Sequence, residues 1–154
     1  MKRPALLFVL ALVLAVASLQ AAEGGAAFDP KRDPAKDVEA AAQQASAENK
    51  RILLDVGGEW CIWCHALDKT LAGDPALSEL LAASYVVVKV NFSEENWNRT
   101  FLAKFPAIES YPHLFVLDEK GKLLHSQDPS AFEKGKGYDP RALEGFLRKW
   151  AKAS

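Results

Sequence analysis

The chain has 154 residues, 49% of them hydrophobic, and 19 basic side chains stand against 20 acidic ones. That charge balance lacks the basic surplus of a nucleic-acid binder, and the length suits a single domain with a real hydrophobic core that needs no disulfide staples. With only two cysteines, Cys61 and Cys64, three positions apart, the cysteine pair is the most informative feature of the chain.

Lys2 and Arg3 precede an apolar run from Ala5 to Ser18. This is the outline of a secretory signal peptide, and it is short for a membrane span. Residues 1–21 are therefore expected to be removed by cleavage near Ala21 or Ala22, which leaves a periplasmic or secreted protein with no stable membrane insertion. Removal takes away two cations and no acid, so 17 basic residues remain against 20 acidic ones, a net charge of about −3. Residues 22–33, polar with Gly24, Gly25 and Pro30, read as a linker or irregular arm, and 34–154 as one domain.

Asp33 followed by Pro34 opens a helix expected to run to about Asn49. Ile52 to Val56, ended by Gly57-Gly58, reads as a buried strand. A helix follows Cys61, with Leu67 and Leu71 at helical spacing and Gly73 as its stop, and another starts at Asp74-Pro75. Tyr85 to Val90, rich in β-branched residues, is a second buried strand. Glu94 to about Lys104 is expected to be helical, offering Trp97, Phe101 and Leu102 to the core. After Pro112, His113 to Leu117 form a third strand, and a turn over 119–122 leads to a fourth through Leu123 and Leu124. Gln127 to Tyr138 reads as a long irregular connection. Asp139-Pro140 begins a closing helix with Leu143, Phe146, Leu147 and Trp150 on its apolar face. Helices between strands imply parallel pairing and the final hairpin an antiparallel one, so the fold class is α/β, a four-stranded mixed sheet covered by helices.

Within Glu59-Trp60-Cys61-Ile62-Trp63-Cys64-His65 the cysteines fall between a buried strand and a helix. A disulfide there closes a loop of four residues, worth roughly 2 kcal/mol in the chain-entropy model, so reactivity explains the pair better than stability. Free N–H groups and the positive end of the dipole at a helix N-terminus stabilise a thiolate. Cys61 sits at that terminus and is the expected nucleophile. Cys64, nearly one turn on, is the expected resolving thiol, and the internal disulfide is expected to leave Cys61 as the exposed sulfur.

These residues resemble the thioredoxin superfamily over about Ile52 to Trp150, and the chain looks similar to exported thioredoxin-like proteins, to the C-terminal domain of the bacterial transmembrane disulfide reductase and to protein disulfide isomerase domains. The resemblance implies a thioredoxin-like fold and a thiol-disulfide oxidoreductase. Its redox-active disulfide Cys61–Cys64 would take the place of any other cofactor or metal. By the same resemblance Asp55 stands as proton acceptor for the resolving thiol, Lys89 as the buried lysine beside it, and Pro112 as the cis-proline that pairs with substrate backbone. Trp60, Trp63, Tyr111 and His113 are expected on the substrate-binding side, and His65 as a group that tunes the thiol pKa values. The implied partners are exported proteins with thiols or disulfides and an upstream thiol redox partner. Ile62-Trp63 between the cysteines, His113 after the proline and Gly57-Gly58 depart from ordinary thioredoxin, which leaves the direction of electron flow open, while the Asp55 arrangement favours reductase or isomerase.

Two other classes compete with this reading. A thioredoxin scaffold without redox turnover would be a binding module, and Cys61-x-x-Cys64-His65 also satisfies the c-type haem attachment pattern, with His113 or His125 as a further ligand. Zinc lacks a second close ligand pair.

Overall fold

A computed structural model describes residues 27–153. The expected signal segment 1–21, its cleavage site and the first part of the expected linker lie outside the described residues.

The first helix, α1 (Pro34–Glu48), starts where the Asp33 carboxylate accepts hydrogen bonds from the N–H groups of Ala35 and Lys36, and it ends at Asn49 in the left-handed conformation (φ 56°). Both ends follow from residue type, since aspartate satisfies free N–H groups and asparagine tolerates positive φ. Strand β1 (Arg51–Gly57) follows, then α2 (Ile62–Gly73), α3 (Pro75–Ser84), β2 (Tyr85–Asn91), a short α4 (Arg99–Leu102), β3 (His113–Leu117), β4 (Leu123–Gln127), β5 (Glu133–Lys134), β6 (Gly137–Tyr138) and α5 (Pro140–Trp150). The main sheet has the order β2-β1-β3-β4.

Because side chains alternate across a strand, β1 feeds two cores. Ile52, Leu54 and Val56 join Val88, Val90, Phe115 and Leu117 under α1, whose Ala41 and Ala45 are small enough for close approach. Leu53 joins Leu114 and Val116 on the opposite face, beneath Leu67 of α2, Leu77 of α3 and Leu143, Phe146 and Leu147 of α5. The Tyr85 hydroxyl donates to the Leu147 carbonyl (2.7 Å) and ties α5 to the end of β2. Asp55 and Gly57 share the parity of Leu53, so the second face, the one that carries α2, also receives them.

Three elements differ from expectation. The helix over 94–104 shrinks to α4, because the segment before it is organised by asparagines. The Asn91 side-chain amide donates to the Asn96 carbonyl, that of Asn98 donates to the Asn91 carbonyl, and Asn98 itself takes a left-handed φ of 46°. Such local side-chain bonds offer the backbone an alternative to the helix. Strand β3 lies antiparallel to β1 and apart from β2, since the stretch from 103 to 112 is not a helical crossover and brings the chain back in the reverse direction. The connection from Gln127 to Tyr138 is also structured. A turn of 3-10 helix capped by Asp128 leads into the β5–β6 hairpin, whose Gly135 has a φ of 64°, and the hairpin seats the Tyr138 ring 5.6 Å from Trp63 of α2.

Candidate active site

Strand β1 and helix α2 meet at Cys61, which is the N-cap of α2 in extended conformation and forms a disulfide with Cys64. The Cα atoms stand 5.2 Å apart, a normal span for such a bond. The Cys64 N–H is shared between the Cys61 carbonyl (3.1 Å) and the Cys61 sulfur (3.1 Å), so an N–H group of the helix start is directed at the atom that would carry a thiolate.

The expected exposure of Cys61 is corrected by the structure. In the oxidised form Cys61 is 3% exposed and Cys64 fully buried, whereas the flanking Trp60 and Ile62 are 55% and 80% exposed. Phe28, Trp63 and Tyr111 gather around the two sulfurs. Phe28 belongs to the segment read as a linker. That segment is irregular, yet its backbone is held where the Phe28 N–H donates to the Glu59 carboxylate (2.9 Å), and the ring is fully buried.

Gly57 makes this packing possible. A Cβ there would stand 2.4 Å from the Cys64 sulfur and 3.2 Å from the Phe28 ring. Gly57→Ala is therefore expected to lower the unfolding free energy of the oxidised protein by about 1–3 kcal/mol, the usual cost of overpacking. Urea denaturation measures this, and an unchanged midpoint would show that the space between Gly57 and the Cys64 sulfur admits a methyl group.

On the same sheet face, the parallel register sets Lys89 opposite Asp55. The Lys89 ammonium donates to Asp55 Oδ2 (2.6 Å) and to Asp68 of α2, and it stands 4.7 Å over the Phe28 ring. Asp55 is buried, and its Oδ1 has no hydrogen-bond partner. Burial pushes the Asp55 carboxyl above its ordinary value, although Lys89 partly offsets this. Burial pulls Lys89 down, but the two carboxylates outweigh it and hold the ammonium above its usual value. The site thus holds a buried carboxyl with a raised proton affinity and one uncommitted oxygen.

The other expected residues separate into two groups. Pro112 follows a cis bond from Tyr111. The Tyr111 ring stacks on Phe92 (4.7 Å) and meets Trp60 edge-on (5.8 Å), so it stands at the disulfide. Trp60 donates its indole N–H to the Phe92 carbonyl (2.7 Å) and keeps much of its surface open. Trp63 is partly core, packed on Tyr138.

His113, expected on the substrate-binding side, is not presented there. Strand alternation turns it to the opposite sheet face beside Phe115, where it is 5% exposed and bonded to the Ser126 hydroxyl at 2.8 Å. Burial holds its pKa below the ordinary histidine value. The His65 ring is turned to the Glu59 carbonyl (2.8 Å).

Phe28, Phe92 and Asp68 were not singled out from the sequence. Asp68 was detectable as an acid four residues after Cys64, one helical turn away on the same face. Phe28 was detectable as a lone aromatic in a polar stretch.

A family model described as thioredoxin-like matches residues 33–119, more than half of the chain. The chain belongs to the thioredoxin-like family. Two relatives are proteins named thiol:disulfide interchange protein DsbD. That of Actinobacillus pleuropneumoniae is 26% identical over 87 residues, 56% of this chain and 15% of that protein. The one from Haemophilus ducreyi is 26% identical over 74 residues, 48% of this chain and 13% of that protein. The chain thus spans less than a sixth of the length of the curated relatives it matches.

Among solved structures, a disulphide isomerase from Xylella fastidiosa Temecula1 superposes with a TM-score of 0.70 at 22% identity, covering 82% of this chain and 98% of that one. The oxidised DsbD C-terminal domain of Neisseria meningitidis gives 0.50 at 15% identity, covering 75% of this chain and 95% of that one. At these identities the two structures establish the thioredoxin-like fold. No helix among the described residues is long and apolar enough to cross a membrane.

Proposed function

We propose that this protein is a thiol-disulfide oxidoreductase that reduces or isomerises disulfides of exported proteins through Cys61 and Cys64. The observation that carries this reading is the disulfide at the N-terminus of α2, lying on the same sheet face as a buried carboxyl with a free oxygen. In the reduced protein the Cys61 thiolate, held by the Cys64 N–H, attacks a substrate disulfide. One substrate sulfur leaves as a thiolate and a mixed disulfide forms. Asp55 takes the proton from the Cys64 thiol, and the Cys64 thiolate attacks the Cys61 sulfur. The second substrate sulfur departs and gains a proton, so the substrate is reduced by two electrons and Cys61–Cys64 is oxidised. An upstream dithiol partner returns the pair to the reduced state, and the disulfide itself is the only redox group this cycle uses.

Trp60, Tyr111 and the Pro112 backbone provide the docking face, and His65 with Lys89 tunes the charge around it. The N-terminal signal pattern and the DsbD-like relatives support a periplasmic or secreted setting. The mature protein is expected to accelerate dithiothreitol-driven reduction of insulin, read as turbidity, and Cys61→Ser is expected to abolish the acceleration. Equal rates with and without the protein would leave a binding module as the better reading. Equilibration with glutathione tests the direction, since a potential near the oxidising end of the family range, about −120 mV, would overturn the reductase and isomerase assignment.

A further inference from the structure

Beyond the disulfide, on the side of Trp60, a groove of about 840 Å³ opens between the arm at Phe28 and the segment that follows β2. Its open walls are aromatic, formed by Trp60, Phe92 and Trp97 in front of the buried Phe28, and Glu59, Glu94 and Glu95 line it as well. Glu94 and Glu95 are exposed and enter no ion pair among the described residues. The Glu59 carboxylate holds the Phe28 N–H and stands 3.7 Å from the His65 ring. At the edge of the groove the Arg99 guanidinium lies 5.6 Å over the Trp97 ring, a single cation against Glu94 and Glu95, so negative charge is in excess along the groove. That contact also displays the chemistry of the wall, since an indole face attracts a cation. Lys89, on the Phe28 ring, is already neutralised by Asp55 and Asp68.

Aromatic faces combined with unmatched carboxylates fit a long side chain with an apolar stem and a positive head. Trp60 is shared between the groove and the residue pair flanking Cys61, so a chain lying along the groove reaches the sulfur within a few residues. We propose that this groove takes a lysine or arginine side chain of the polypeptide whose cysteine reacts at Cys61, and that it thereby gives the protein a preference for basic disulfide substrates. This rests on the oxidoreductase reading and adds to it the charge of the substrate.

The test uses the mature protein and two disulfide-linked peptides that differ only in having Lys and Arg, or Glu, beside the cysteine, with bis(hydroxyethyl) disulfide as an uncharged control. The native protein is expected to show a kcat/KM ratio of basic to acidic peptide on the order of tenfold at low salt, falling towards unity at high salt. Glu94→Gln with Glu95→Gln should bring the ratio close to unity. Glu94→Lys with Glu95→Lys should invert it by raising the rate on the acidic peptide, a gain that a misfolded variant would not show. Turnover of the uncharged disulfide with equal rates on both peptides would overturn the groove assignment alone. Failure to turn over any of the three would overturn the oxidoreductase reading and the groove's role with it.

Discussion

A Cys64→Ala variant, expressed in the exported form, is expected to accumulate mixed disulfides with its substrates through Cys61, while Cys61→Ala accumulates none. The asymmetry follows from the start of α2. Cys61 caps the helix and receives an N–H from Cys64, so its thiolate is favoured in the reduced protein. Cys64 is fully buried beneath Gly57 and Phe28 and is out of reach of an incoming protein. Without Cys64 the mixed disulfide has no internal thiolate to resolve it. Non-reducing gels read the difference, and the trapped species identify the substrates. In the reduced native protein iodoacetamide should modify Cys61 first, with a pH midpoint below that of a free thiol, about 8.5. The slight exposure of Cys61 in the oxidised form means that an attacking thiol reaches it only as the side chains packed around it give way. Equal trapping by both variants, or earlier alkylation at Cys64, would reverse the assignment of nucleophile and resolver.

Asp55→Asn is the second large effect expected. It removes the proton acceptor for Cys64, and single-turnover release of substrate from Cys61 should slow on the order of a hundredfold near neutral pH, in the range of general acid–base contributions. The loss should shrink as pH rises towards the ordinary thiol range, where Cys64 ionises unaided. A rate unchanged across pH would deny Asp55 the proton-transfer role.

Stability supplies an independent readout with a definite sign. Burial raises the Asp55 pKa in the folded protein. Above the ordinary carboxylate pKa the unfolded chain has lost this proton while the folded chain keeps it. The native state then binds more protons, so stability falls as pH rises until the raised folded value is passed. Below the ordinary carboxylate range both states hold the proton and the full stability is present. The amide introduced by Asp55→Asn does not ionise, so the variant should lack this fall and gain on the native protein as pH rises. Urea unfolding of the two oxidised proteins at a series of pH values measures it.

How much of this was legible in the sequence depended on how local the cause was. Asp33, Asn49, Asp74, Pro75 and Asp139 place helix ends through bonds to residues a few positions away. The apolar run of β1 and the β-branched run of β2 announce buried strands. The cysteine pair between strand and helix identifies the reacting sulfurs by the same short-range logic, because a helix N-terminus supplies its N–H groups whatever lies around it. The failed helix at 94–104 was local too, but there the asparagine side chains compete with an apolar pattern, and periodicity does not weigh that competition.

Whatever crosses the sheet or joins distant segments was settled only by folding. His113 follows Pro112 directly, yet the register of β3 against β1 turns it away from the disulfide, a matter of strand pairing. Phe28 lies 33 positions before Cys61 and still covers it, because Gly57 leaves space that only the packed sheet defines. Which atoms react and where helices begin could be read from the chain alone, since both follow from neighbours along it. How deeply the sulfurs are buried, which carboxylates share Lys89 and where the acidic aromatic groove runs could not, since desolvation and contact depend on residues that only the three-dimensional arrangement brings together.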